Sequence, residues 1–138
     1  MSNHNAKEVV RNFYQSDILK DHTVLDRFIH QDVVLIWNST DGLTIMHFDE
    51  IVDFFTEIRR TYADFRIEVS HLLEDDNHVT IRYKYYVRTM ENPDEELGIA
   101  HFIAIWEVKD AKLFRGYQVS QPVTDKDDTT ESYHKVKV

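Results

Sequence analysis

Eight histidines, seven tyrosines, two tryptophans and 25 carboxylates are the groups in this 138-residue chain with the means to do chemistry. No two histidines fall at His-x-His, His-x3-His or His-Glu-x2-His spacing. His4, His22, His30, His47, His78 and His134 fall at expected element ends or turns, so no metal site is expected. Asp75-Asp76 and Asp94-Glu95-Glu96 read as solvated turns without the glycine and spacing of a calcium loop. There is no glycine-rich phosphate cradle and no Gly-x-Ser-x-Gly elbow, so no cofactor is expected either. His101, between Ala100 and Phe102, is the candidate that remains. Burial there favours a neutral imidazole, able to act as a general base or to hydrogen-bond Gln118 or Ser120. Tyr14 is a candidate hydroxyl donor, and Trp37 offers a flat wall and one indole N–H.

Composition narrows the classes further. With no cysteine, disulfide scaffolds, thiol nucleophiles and zinc–thiolate sites are excluded. A formal charge of −9 argues against nucleic acid or an anionic membrane as partner. No apolar run approaches the roughly 20 residues of a membrane helix, and no basic-then-apolar leader opens the chain. The expected address is the cytoplasm. The length suits one domain, with a core over about residues 6–122 and a C-terminal extension over 123–138.

The elements that must position these groups change character half-way along. Asn5-Ala-Lys-Glu8 has capping-box spacing, and Val10, Phe13, Tyr14 and Ile18 follow at helical intervals. A second short helix starts at Thr23, and a short buried strand covers Val33 to Trp37. Asn38 to Gly42 is turn chemistry, and Leu43 to Met46 suits a short strand. From Asp49, Ile51, Phe54, Phe55, Ile58 and Tyr62 mark a third helix, with Arg59 and Arg60 placed to favour its dipole. Beyond it the period falls to two. Strands are expected near 65–71, 79–88, 97–109 and 113–121, with turns at 74–77 and 110–111 and a polar loop at 91–96. Thr124 to Ser132 reads as solvated, and Tyr133 to Val138 could pair as a strand. Helices first and a four-stranded meander after them is an α+β pattern.

A two-residue turn at Asp110-Ala111 pairs Lys109 with Lys112, which sets Ile103 opposite Gln118 and His101 opposite Ser120. Matching apolar faces across the preceding loop sets Val87 opposite His101 and Tyr85 opposite Ile103. On that register one face carries Val69, His71, Tyr83, Tyr85, His101, Ile103, Gln118 and Ser120, aromatic with a few polar tips, as a small-molecule pocket is. With Phe55 from the third helix and Trp37, these residues are expected to line one cavity. The other face carries Phe102, Ala104, Trp106, Tyr117 and Val119. An apolar patch of that kind suits a homodimer interface through the sheet, with Phe102, Trp106, Tyr117 and Val119 at its centre. A one-residue slip exchanges the two sets.

The order of elements, with Val9-Val-Arg-Asn-Phe13, Phe28-Ile-His-Gln-Asp-Val33 and Asp49-Glu-Ile-Val-Asp-Phe-Phe55, resembles the nuclear-transport-factor-two-like superfamily. Its members include ketosteroid isomerases, scytalone dehydratase and polyketide-cyclase-like (SnoaL-like) proteins. The resemblance covers about residues 6–122. It implies a cystatin-like cone, in which a curved antiparallel sheet wraps helices in the order α-α-β-(β)-α-β-β-β-β, and dimers formed through that sheet. The catalytic set of the isomerases does not carry over. Phe13 stands at the helix-one tyrosine position, one residue before Tyr14, and Trp37 stands at the base. In the stretch that would supply the supporting acid, Ala100 to Ile103, His101 is the ionisable residue. His47 stands where a glycine often opens the third helix.

The expected function is binding of a small apolar or aromatic molecule in the cone, by Trp37, Phe55, Tyr83, Tyr85, Ile103, Gln118 and Ser120. The enzyme alternative is a cofactor-free lyase, cyclase or isomerase with His101 as proton shuttle and Tyr14 or Trp37 as donor. A third reading is a structural association module, a role the resembled fold has in calmodulin-dependent kinase assemblies. That role requires a filled cone and larger oligomers.

Overall fold

The computed structural model describes residues 5–123, so the expected strand at Tyr133 to Val138 and the solvated stretch before it lie outside the described residues. Three helices, α1 (Ala6–Tyr14), α2 (Val24–Phe28) and α3 (Phe48–Thr61), alternate with strands β1 (Ile29–Ser39) and β2 (Gly42–Met46). Four long strands follow: β3 (Tyr62–Asp75), β4 (His78–Thr89), β5 (Glu96–Lys109) and β6 (Lys112–Pro122). This is the expected element order. The six strands form one curved, unclosed sheet in the order β2-β1-β6-β5-β4-β3. The sheet is mixed, because β1 runs parallel to β6 while every other neighbour is antiparallel.

Local chemistry explains the helix ends, with two departures from expectation. The Asn5 side chain makes no cap bond, and Glu8 instead pairs with Arg11 one turn along. The capping box forms at α3, where the His47 N–H donates to Glu50 Oε1 at 2.7 Å and the His47 side chain accepts from the third residue of the helix. Arg59 does more than favour the dipole of α3. Its guanidinium donates twice, at 2.9 and 3.2 Å, to the Ile18 carbonyl, and so pins the connection between α1 and α2.

The hairpin at Asp110-Ala111 forms as expected, with φ of 55° and 60° at its two residues and Lys109 opposite Lys112. Both positive values fit the primed turn that matches strand twist. Two places beyond the turn, Val108 opposes Leu113 but Glu107 opposes Arg115, so Phe114 is an extra residue, a β-bulge. That one residue exchanges the faces of β5 relative to β6. Trp106 now opposes Gly116, Ile105 opposes Tyr117, Ile103 opposes Val119 and Phe102 opposes Ser120. On the other side of β5, Tyr83 opposes Phe102 and Lys84 opposes His101. A second bulge at Ser70 turns His71 to face Arg82.

Two expectations are corrected by this register. Phe102, Ala104 and Trp106 lie on the concave face with Tyr83, Tyr85, Gln118 and Ser120. His101 and Ile103 lie on the convex face with Ile105, Tyr117 and Val119. Phe102 and Trp106 are accordingly core residues rather than surface ones, Trp106 being 3 % exposed. Gly116 allows this. A Cβ there would lie 2.6 Å from Trp106 Cζ3 and 2.8 Å from Leu35 Cδ1, so the indole rests against bare backbone. The core fills the concave side, from Val10 and Phe13 of α1 through Val24 and Leu25 to Ile51 of α3, over Ile81, Ala104 and Leu113 of the sheet.

Candidate functional site

Inside the curve of the sheet, α1 and α3 cover a cavity of about 80 Å³. Its walls are rings. Trp37 stands edge-on to Phe54 with centroids 5.6 Å apart, Tyr83 stacks on Phe102 at 5.0 Å, and Tyr14 leans on Tyr83 at 4.9 Å. Phe55 closes the roof against Phe54 and Phe13. Tyr85, Trp106, Phe65 and Ile67 complete the lining on the sheet side. Such offset and edge-to-face contacts hold the rings in place beyond what area burial alone provides.

Polar atoms enter at a few fixed points. The Trp106 indole N–H donates to the Tyr14 hydroxyl at 2.9 Å. The hydroxyls of Tyr14 and Tyr83 are hydrogen-bonded to one another, and the Tyr83 hydroxyl donates to Gln118 Oε1 at 3.3 Å. One line of hydrogen bonds therefore runs from β5 through α1 and β4 to β6. At the other wall the Trp37 indole N–H donates to Ser120 Oγ at 2.8 Å. Burial pushes the Tyr14 phenol up to about 12, against the lowering effect of its bonds to Trp106 and Tyr83. Burial likewise raises the Tyr85 phenol, with a smaller contribution from Tyr62. Both are neutral near pH 7. Among the described residues, no aspartate, glutamate, histidine, lysine or arginine lines the cavity.

Of the residues singled out from the sequence, Tyr14, Trp37, Phe55, Tyr83, Tyr85 and Gln118 meet around this cavity, and Ser120 holds Trp37 from behind. Ile103, 43 % exposed on the convex face, does not reach it. Nor does His101, whose neighbour across β4 is Lys84. Lys84 is itself buried, with its ammonium 5.0 Å from the Tyr86 ring centroid and its chain packed against Gly98. Sequence reasoning missed Phe54, Phe65 and Ile67 as lining, and it set Phe102 and Trp106 on the wrong face. Glycine at 116 within reach of a tryptophan was the available signal, since a large ring on a sheet needs a small residue under it.

The family model of the SnoaL-like domain matches residues 10–116. This chain belongs to the SnoaL-like family. That places it in the nuclear-transport-factor-two-like superfamily, as the order of its elements suggests. Among solved structures, the SnoaL-like chain is similar to IdmH from Streptomyces antibioticus, provisionally assigned as a polyketide cyclase. They share 14 % identity over 85 % of this chain and 92 % of that one, with a TM-score of 0.69. An LEH-like epoxide hydrolase from M. tuberculosis is 12 % identical over 99 % and 94 %, with a TM-score of 0.67. A phenazine biosynthesis-related protein from Pseudomonas aeruginosa is 17 % identical over 86 % and 76 %, with a TM-score of 0.64. At these identities the likeness is one of fold. A comparison with curated protein sequences finds no match. No described helix of the SnoaL-like chain is long and apolar enough to cross a membrane.

Proposed function

We propose that this SnoaL-like chain binds a small, uncharged apolar group in its cone and orients it by one hydrogen bond to the Tyr14–Tyr83–Gln118 line. The observation that carries the reading is the cavity itself: ring-walled, free of ionised groups among the described residues, and crossed by a fixed row of neutral donors and acceptors. A lyase, cyclase or isomerase working through His101 loses its proton shuttle, because that imidazole stands on the opposite face of β5. Tyr14 is assigned here to binding, since a neutral phenol of raised pKa donates hydrogen bonds but does not abstract protons near pH 7, and Tyr83 joins it through their hydrogen bond.

Size limits the occupant. A cavity of about 80 Å³ is roughly half the ~150 Å³ cavity that holds benzene in an engineered lysozyme. A short alkyl group fits as the cone stands, and a whole aromatic ring needs Phe54 or Phe55 to swing aside. Both tryptophans of the chain line the cavity, so titration with n-butanol and with phenol, followed by the two indole N–H resonances, tests the reading. Saturable shifts of both indoles, weakened about fivefold in Tyr83→Phe, are expected for loss of one hydrogen bond worth roughly 1 kcal/mol. Two indole signals that stay still with both probes overturn it.

Dimerisation through the sheet belongs to the same proposal, with corrected residues. Ile103 opposite Val119 and Ile105 opposite Tyr117 make a four-residue apolar block on the convex face, 42 to 51 % exposed. In this proposed interface Tyr117 and Val119 stay, and Ile103 and Ile105 take the place of Phe102 and Trp106. A second copy covering this face removes that apolar surface from water.

A further inference from the structure

Beside the cavity lies a groove of a different character. The groove encloses about 460 Å³ and runs between β3 and the connection from α1 to α2. Tyr14, Ser16, Ile18, Phe65 and Ile67 line both spaces, so the two adjoin along these side chains. Four consecutive residues, Asp64 to Ile67, wall the groove, which means that strand backbone as well as side chains faces it. β3 is an edge strand, and alternate N–H and C=O groups of an edge point outward with no strand to receive them. The opposite wall is fixed rather than loose. Arg59 holds the Ile18 carbonyl, and the Asp17 carbonyl accepts from the N–H groups of Lys20 and Asp21 at 3.1 and 2.8 Å.

Charge in the groove is one-sided. Asp17 and Asp64 face it from opposite walls, and Arg66 is the basic residue that lines it. The Arg66 guanidinium is engaged elsewhere, with two bonds to the Glu96 carboxylate at 2.8 and 2.9 Å and a position 4.2 Å from the Tyr86 ring centroid. The whole chain adds a net charge of −9. A carboxylate or phosphate entering here meets two carboxylates and no uncommitted cation among the groove's described residues.

We infer that the ligand is an amphiphile without negative charge, placing a slender apolar end in the cone and a bulkier polar or cationic part in the groove along β3. The volumes divide it so: the apolar chamber is small and the partly polar groove is several times larger. This rests on the binding reading above, and it adds the shape and charge class of the ligand.

Three probes that share one hexyl tail test it: n-hexylamine (protonated at pH 7), n-hexanol and n-heptanoate, each titrated at low salt against the two indole resonances. Hexylammonium is expected to bind about 3- to 10-fold more tightly than heptanoate, with the gap closing as salt is raised. In the Asp17→Asn, Asp64→Asn double variant the preference disappears while n-butanol binding is unchanged. If n-butanol binds the wild type but heptanoate matches hexylammonium, or if the double variant keeps the preference, the inference is overturned and the cone reading stands. If n-butanol moves neither indole, both fall.

Discussion

Trp106 and Tyr14 lie 92 residues apart, and the indole N–H of the first donates to the hydroxyl of the second at 2.9 Å. This bond ties the middle of the sheet to the last residue of the first helix, across the floor of the cavity. Tyr14→Phe would leave the buried indole N–H without its acceptor, a loss of about 1 to 3 kcal/mol in urea unfolding. Trp106→Phe combined with Tyr14→Phe should cost less than the sum of the two single changes, because the orphaned group has gone.

Alkaline pH should weaken the fold through the same residue. The Tyr14 phenol is raised from 10.0 in the open chain to about 12 in the fold, so its contribution is fully present below pH 10. It is lost as pH climbs from 10 to 12, on the order of 2 to 3 kcal/mol in all. Urea melts between pH 8 and pH 11 should show stability falling above pH 10, and Tyr14→Phe should flatten part of that slope. An identical slope in the variant contradicts the buried-phenol account.

The bulge at Phe114 shows why the site was only half legible in the sequence. Element order, the Asp110-Ala111 turn and the pairing of Lys109 with Lys112 were all readable, because turn residues and period-two alternation mark them locally. The faces of β5 were not. Phe102, Ala104 and Trp106 alternate with Ile103 and Ile105, both sets are apolar, and a hydrophobic pattern cannot choose between them. A bulge has no residue signature of its own, so the turn arithmetic ran true for two pairs and then slipped by one. On β4 the alternation is cleaner: Tyr83 lies between Arg82 and Lys84, and it lines the cavity as its spacing suggests.

Gly116→Ala is a sharp test of that register. Its added methyl would sit 2.6 Å from the Trp106 ring, so the indole must move and with it the bond to Tyr14. A destabilisation of about 1 to 3 kcal/mol is expected, together with a large shift of the Trp106 indole resonance and a small one for Trp37. On the register without the bulge, Gly116 opposes Ile105 and the Trp106 signal stays where it is.

Ala111 holds φ of 60°, a region costly for any residue with a Cβ. Ala111→Gly should therefore stabilise the fold by about 1 kcal/mol, raising the thermal midpoint by roughly 3 °C. A lower midpoint would show that the turn is not of the primed type.

Tyr117→Asp and Ile103→Asp place a charge in the middle of the convex apolar block. Each should convert a dimer to monomer in light scattering at micromolar concentration without lowering the thermal midpoint of the monomer by more than a few degrees. Asn12→Asp, on the exposed side of α1, should leave the mass unchanged. Trp106→Asp is no test of the interface, because it buries a charge in the core and unfolds the chain.

Which face of β5 meets a ligand decides the account most directly, and intermolecular nuclear Overhauser effects from bound n-butanol can read it. The cone reading expects contacts from the butyl methyl protons to the rings of Phe102, Tyr83 and Trp37, and none to His101, Ile103 or Tyr117. Contacts confined to His101, Ile103 or Tyr117, or no contact with the three cavity rings at saturating butanol, would contradict it.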